Sequence, residues 1–335
     1  MKDLYNFYTQ GKGLKKSYNR GKSFGYQILG FGSGIGVAEA TFTPTTLGIF
    51  GFGYTTGPVG MTNLVNSSGV VASDTSAVGT AREAPTAGGY GGDKAIFAYG
   101  VNEGAGEAYS LKNLVNNSGV VAVDVTGVGT PRWFMSSATY GTDKVIMGFG
   151  KTTVNSAAIT GVTNLVSNTG VVASDSSAVG TARSQGASCR FSADKAIFAY
   201  GSQTGSANNS NLVSNLGLVA SNTTGVGTNR IGRSGTNYGV GLGIFCFGET
   251  TANKNLVSNV GVISGDVTGV GSPRNWLGST SYGSDKAIYY GGYNGGAEPV
   301  HFDEANLVTN LGIVGTDQTG VGTRRRTLVG GGYAN

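Results

Sequence analysis

TNLVSNTGVVASDSSAVGTARSQGASCRFSADKAIFAYG, residues 163–201, decides how this chain is read. It ends in Ala196-Ile197-Phe198-Ala199-Tyr200, which is short, apolar, aromatic and closed by Gly201, as a strand buried on both faces should be. It begins with Asn164-Leu165-Val166 and a Gly170-Val171-Val172 end, a second strand whose glycine predicts a bulge or a close backbone approach. Between them Arg183 opens another strand, with an aromatic, Phe191, eight residues on.

The same three marks recur six times. Asn-Leu-Val starts at Asn63, Asn113, Asn164, Asn211, Asn255 and Asn306, at separations of 44 to 51 residues. Val-Gly-Thr/Ser-x-Arg supplies Arg82, Arg132, Arg183, Arg230, Arg274 and Arg325, and the aromatics that follow are Tyr90, Tyr140, Phe191, Tyr238, Tyr282 and Tyr333. Four strands per unit with glycine-rich turns predict an all-β, six-bladed β-propeller over 46–335. Asp74, Asp124, Asp175, Asp266 and Asp317, with Asn222 in the sixth place, each precede a glycine by five residues and read as Asx turns capping their own backbone. The arginines read as a structural ring near the axis, bonding carbonyls of neighbouring blades; an anion-attracting channel is the alternative.

Closure follows from register. Arginine to the Asp-Lys strand is an eleven-residue step, and Arg325 plus eleven falls one past the end of the chain, at 336. The missing strand is Thr46–Gly53, so the segment at 326–334 is expected to pair with strands of the first repeat and displace residues 36–45.

Composition narrows the chemistry. Sixty glycines and 12% charged residues suit many tight turns, and 39% apolar residues suffice for a core. Residues 1–22 hold Lys2, Lys12, Lys15, Lys16, Arg20 and Lys22 against Asp3, so all of the net +5 lies in this arm. The stretch Phe24–Val37 before Ala38-Glu39-Ala40 has some features of a secretory signal but is interrupted by five glycines. No apolar run is long enough for a membrane-spanning helix. Cys189 and Cys246 read as buried free thiols. A single histidine, His301, read as a solvated loop residue, leaves no His-based metal site or serine triad, and no cofactor or metal is expected.

The order arginine, aromatic strand, Asp-Lys-apolar-Gly, Val-Val, turn resembles kelch repeats over roughly residues 46–335. It departs from them in having the double glycine in place only at Gly291-Gly292, and Val-Gly-Thr where kelch blades carry tryptophan. More narrowly, NLVSNxGVV–TGVGTAR–YGxDKAIFAYG is similar to repeats of uncharacterised virion proteins of bacteriophages, especially marine ones. That resemblance implies a component of a phage particle, with localisation in the virion.

Variation points to the binding surface. The connections 54–62, 101–112, 151–163, 202–210, 249–254 and 293–305 differ in every copy and should share one face. Ligand-binding candidates there are Glu103, Glu107, Tyr109, Tyr293, Glu298, His301, Phe302, Asp303 and Glu304. The arm 1–45, with Tyr5, Phe7, Tyr8, Lys12, Lys15, Lys16, Tyr18, Arg20 and Lys22, reads as an anchor to other virion proteins, with nucleic acid as the second-ranked partner. The sequence thus suggests a non-enzymatic, tail-fibre or adhesin-type protein, oligomeric within the particle, whose propeller head recognises a host-surface glycan or protein. The alternatives are a structural connector or decoration protein and a glycan-cleaving propeller.

Overall fold

Each repeat folds into one three-stranded antiparallel sheet because its three apolar segments are separated by turn glycines. In a computed structural model, residues 43–154, 158–203, 206–249, 251–296 and 301–334 are described. The first sheet joins β1 (Leu47–Tyr54) and β2 (Pro58–Val65) to β18 (Val329–Tyr333). The second is β3 (Thr86–Tyr90), β4 (Lys94–Asn102) and β5 (Glu107–Val115); the third is β6 (Ser136–Tyr140), β7 (Lys144–Gly148) and β8 (Thr163–Val166). The fourth is β9 (Ala187–Phe191), β10 (Lys195–Ser202) and β11 (Ser206–Val213). The fifth is β12 (Ser234–Tyr238), β13 (Leu242–Cys246) and β14 (Lys254–Val257); the sixth is β15 (Gly278–Tyr282), β16 (Lys286–Tyr293) and β17 (His301–Val308). The named arm residues, Tyr5 to Lys22, and Glu298 lie outside the described residues; of the arm only 43–45 are described.

The central strands are dry on both faces: Ile96-Phe97, Ile197-Phe198 and Ile288-Tyr289 are buried. Aromatic pairs stitch consecutive sheets together, among them Phe52–Phe97, Tyr200–Phe245, Phe247–Tyr289 and Phe50–Tyr290, with ring centroids 5.0–5.6 Å apart. Each such buried ring contributes roughly 1.5–3 kcal/mol. Cys189 and Cys246 are free and buried in this packing.

The first and last strands meet in the first sheet, where β18 pairs with β1 from Leu47↔Tyr333 to Gly51↔Val329. The opening strands neighbour one another in the order β3, β6, β9, β12, β15, β18 and back to β3. One backbone circuit follows that order: Gly91 donates to Asp143 O, Gly141 to Asp194 O, Ser192 to Gly241 O, Gly239 to Asp285 O, Gly283 to Thr46 O and Ala334 to Asp93 O. Thr46 stands in this circuit where most other repeats place aspartate, so residues just ahead of β1 keep the register of a repeat.

Four local expectations are corrected. Each sheet has three strands, not four, and the Asn-Leu-Val strand does not run on through Gly-Val-Val; the segment beyond it touches β2 only through isolated bridges, Val65↔Val71 and Thr62↔Thr75. A tight turn at Asn66–Gly69 intervenes, and the chain then departs to place Asp74 at the sheet edge. The bulge sits instead at the aromatic-glycine end of the central strand, where register shifts between Ala98 and Gly100. There Tyr99 takes φ 60° and Gly100 φ 111°, a backbone that side chains resist, and a Cβ on Gly100 would come within 3.0 Å of Glu83 O.

The aspartates are not Asx caps. Asp124 accepts from the Thr80 amide and hydroxyl, both at 2.7 Å, tying the end of its sheet to the segment that enters it. Asp74 does the same to Thr323, across the junction of the chain ends. The arginines complete this tie. Arg82 donates to Tyr99 O, Thr80 O and Asn113 Oδ1, all around its own sheet, with its guanidinium over the Phe52 ring of the preceding sheet at 3.9 Å. Burial pushes Arg82 down to about 10 although Asp124 opposes the shift.

Candidate functional site

Two positions break the repeat where everything around them is constant. The residues after the buried arginine are Glu83-Ala84, Trp133-Phe134, Ser184-Gln185, Ile231-Gly232, Asn275-Trp276 and Arg326-Thr327. The first of each pair is pinned to the residue following the strand glycine: Glu83 to Val101, Asn275 to Tyr293 and Arg326 to Tyr54, each by two backbone hydrogen bonds. All six second residues adopt positive φ, from 46° at Ala84 to 66° at Gly232. Their amides form a closed circuit, Ala84 donating to Thr327 O, Thr327 to Trp276 O, Trp276 to Gly232 O, Gly232 to Gln185 O, Gln185 to Phe134 O and Phe134 to Ala84 O. This crown rims an axial pocket of about 110 Å³ whose walls are small and hydroxylated, including Thr86, Ser136, Ser137, Ser188, Ser234 and Ser279. Those hydroxyls are mutually engaged, for example Thr86 to Ser137 Oγ and Ser137 to Ala87 O.

Phe134 and Trp276 come from repeats three apart, yet their rings meet across the crown with centroids 5.9 Å apart. Trp276 Nε1 donates to Gln185 Oε1 at 2.9 Å, fixing its indole. The contact extends on both sides into a ridge of packed rings: the buried Trp133 stacks on Phe134 at 4.8 Å, Trp276 on Tyr293 at 5.6 Å, and His301 lies 5.7 Å from Tyr293 and 6.4 Å from Tyr54. Lys151 Nζ sits over Trp133 at one end, 4.6 Å from its centroid. Arg326 covers Tyr54, Tyr293 and Trp276 at the other, at 4.6, 5.0 and 5.5 Å.

Two expected residues, Tyr293 and His301, belong to this ridge. His301 is half-buried on β17 between two tyrosines, not a solvated loop residue as expected. The other described candidates lie apart from it, and most of them are on strands because the hairpins run past the bulge. Glu107 and Tyr109 bond each other on β5 at 3.0 Å. On β17, Phe302 packs on Arg274 at 5.6 Å and Asp303 pairs with Arg324 at 3.0 Å, while the Glu304 Oε2 atom is buried without a partner. Glu103 sits in a short 3-10 turn, and its charge reaches Glu83. Burial, reinforced by Glu103 and opposed by Arg326, pushes the Glu83 carboxyl up to about 7.

Sequence reasoning missed Trp133, Phe134, Trp276, Tyr54, Lys151 and Arg326. The available signal was that both tryptophans of the chain occur beside the repeat arginine.

Among the described residues no group of three His, Cys, Asp or Glu could hold a metal, and no helix is long and apolar enough to cross a membrane. No protein-family model matches the chain, and no curated protein matches it.

Proposed function

We propose that the chain is a closed, six-bladed, kelch-like β-propeller acting as a non-enzymatic recognition head whose crown binds a host-surface glycan. Two closed backbone circuits and the cyclic order of the opening strands support the architecture. The aromatic ridge across the crown carries the functional reading. Tryptophan and tyrosine rings offer apolar faces for the C–H faces of sugars, with polar edges for their hydroxyls. Placement in a bacteriophage particle, with the arm as anchor, rests on the resemblance of the repeat to phage virion proteins.

The test is binding of labelled full-length protein to host cells and to their isolated surface polysaccharide. Trp276→Ala should weaken binding about tenfold, the loss of roughly one stacking interaction. Undiminished binding by the variant would remove the crown from the reading; retention by host protein alone would remove the glycan.

One observation favours a second reading, a glycan-cleaving head. Glu83 has the raised carboxyl of a general acid and a second carboxylate, Glu103, in electrostatic reach. Release of oligosaccharide by the wild type and its loss in Glu83→Gln would establish that reading over the first.

A further inference from the structure

Buried polar atoms without partners are rare, and each asks for an explanation. Here they recur at one repeat position. Of the six residues that follow the buried arginines, four carry such an atom: Glu83 Oε1, Ser184 Oγ, Asn275 Oδ1 and Arg326 Nε. Three of the four, Asn275, Arg326 and Glu83, come from consecutive repeats and sit side by side around the crown. Their backbones are fixed by the paired bonds to Tyr293, Tyr54 and Val101, so the side chains cannot be relieved by a small backbone shift.

Arg326 is the most exceptional of them. The repeat arginines that precede these positions are tied into their sheets, as Arg82 and Arg274 are by carbonyls and an asparagine. The half-buried Arg326 side chain makes neither a hydrogen bond nor an ion pair among the described residues. Three rings hold its guanidinium in place while leaving its planar fork of donors unspent. A guanidinium fixed by stacking is preorganised for bidentate capture of an oxyanion.

We propose that the sector Asn275–Arg326–Glu83 is the subsite for a sugar unit bearing an acidic group, carboxylate or sulfate, within the glycan that the ridge holds. The half-buried Arg326 takes the anionic oxygens. Tyr54, Tyr293 and Trp276 wall the sugar ring. This inference rests on the glycan reading above.

The experiment is calorimetric titration of the full chain with three saccharides of equal length: an oligogalacturonate, a sulfated galacto-oligosaccharide and a neutral galacto-oligosaccharide. The wild type should bind one acidic saccharide at least tenfold more tightly than the neutral one, with affinity falling as salt rises. Which acidic saccharide wins assigns the group as carboxylate or sulfate. Arg326→Gln should abolish the preference for the acidic saccharide, its fold checked by its melting temperature. Equal wild-type affinity for all three overturns the acidic subsite and leaves the glycan reading intact. A preference that survives Arg326→Gln overturns the assignment to Arg326. Failure to bind any saccharide, with binding to a host protein instead, brings down both readings. The wild-type comparison stands even if the variant does not fold.

Discussion

Replacing Asn222 by aspartate should stabilise the protein. In five sheets an aspartate ties the sheet edge to the entering segment and lies beside the buried arginine, as Asp266 does to Arg230 at 2.7 Å. In the fourth sheet Asn222 occupies that place, and both Arg183 Nη2 and Asn211 Oδ1 are buried without partners. Among the described residues Arg183 retains only a bond to Thr181 O at 3.4 Å and the Phe149 ring beneath it. Burial pushes it down to about 10 with no carboxylate to oppose the shift. Asn222→Asp supplies that carboxylate and turns the Thr181 contacts into charge-assisted bonds. A hydrogen bond to a charged group contributes about 1.5–3 kcal/mol, and partial exposure of this edge reduces the gain to about 1 kcal/mol. Thermal unfolding followed by circular dichroism at pH 7 should show a rise of about 2 °C. The pH dependence has a definite sign. For Asp266, desolvation raises the carboxyl, but bonds from Thr228 and Asn255 and the charge of Arg230 outweigh it and bring it to about 2. A depressed carboxyl stabilises above its unfolded value and loses that contribution as pH falls through its folded value. The gain in Asn222→Asp should therefore disappear between about pH 4 and pH 2. An unchanged or lower melting temperature at pH 7, or a gain that persists at pH 2, would refute the reasoning.

Two further perturbations test the frame around the crown. Gly100→Ala forces a side chain onto φ 111° and against Glu83 O, so equilibrium urea unfolding should show a loss of about 1–3 kcal/mol. Glu83→Gln removes a carboxyl raised to about 7, a group that binds its proton more tightly folded than unfolded and so makes the wild type less stable as pH rises from the unfolded value toward 7. The variant's melting temperature should be flatter over that window; a parallel pH profile would show that Glu83 does not titrate there.

Six repeats, the central strands and the pairing of β18 with β1 were legible because short-range patterns determine them. An apolar run ending in aromatic-glycine has few folded solutions, and register counting placed the last strand beside the first. The aspartate ties were illegible because the partner is remote: Asp124 and Thr80 are separated by a whole sheet, and an aspartate before a turn reads equally well as a local cap. Tyr282 against Gly69 shows the same limit, since that turn glycine, at φ 82°, is required as much by a ring from the neighbouring repeat as by its own backbone. Looking for function in loops of variable length found Tyr293 and His301 but passed over their neighbours on the ridge. Phe134 and Trp276 come from repeats three apart, and no local pattern signals that their rings touch.

The crown's framework also leaves its side chains free to vary. Its circuit uses only backbone amides and carbonyls, so the framework is indifferent to the side chain, provided the left-handed backbone is accepted. Acceptance costs on the order of 1 kcal/mol at each non-glycine residue, least at glycine, and Gly232 is the only glycine among the six. A sequence under no demand but folding would favour glycine at all six places. Instead it keeps phenylalanine, glutamine, tryptophan, threonine and alanine in strained backbone, and puts both of its tryptophans at the crown. Left-handed backbone at Phe134 and Trp276, whose rings meet across the crown, is the strain that the proposed binding role would account for.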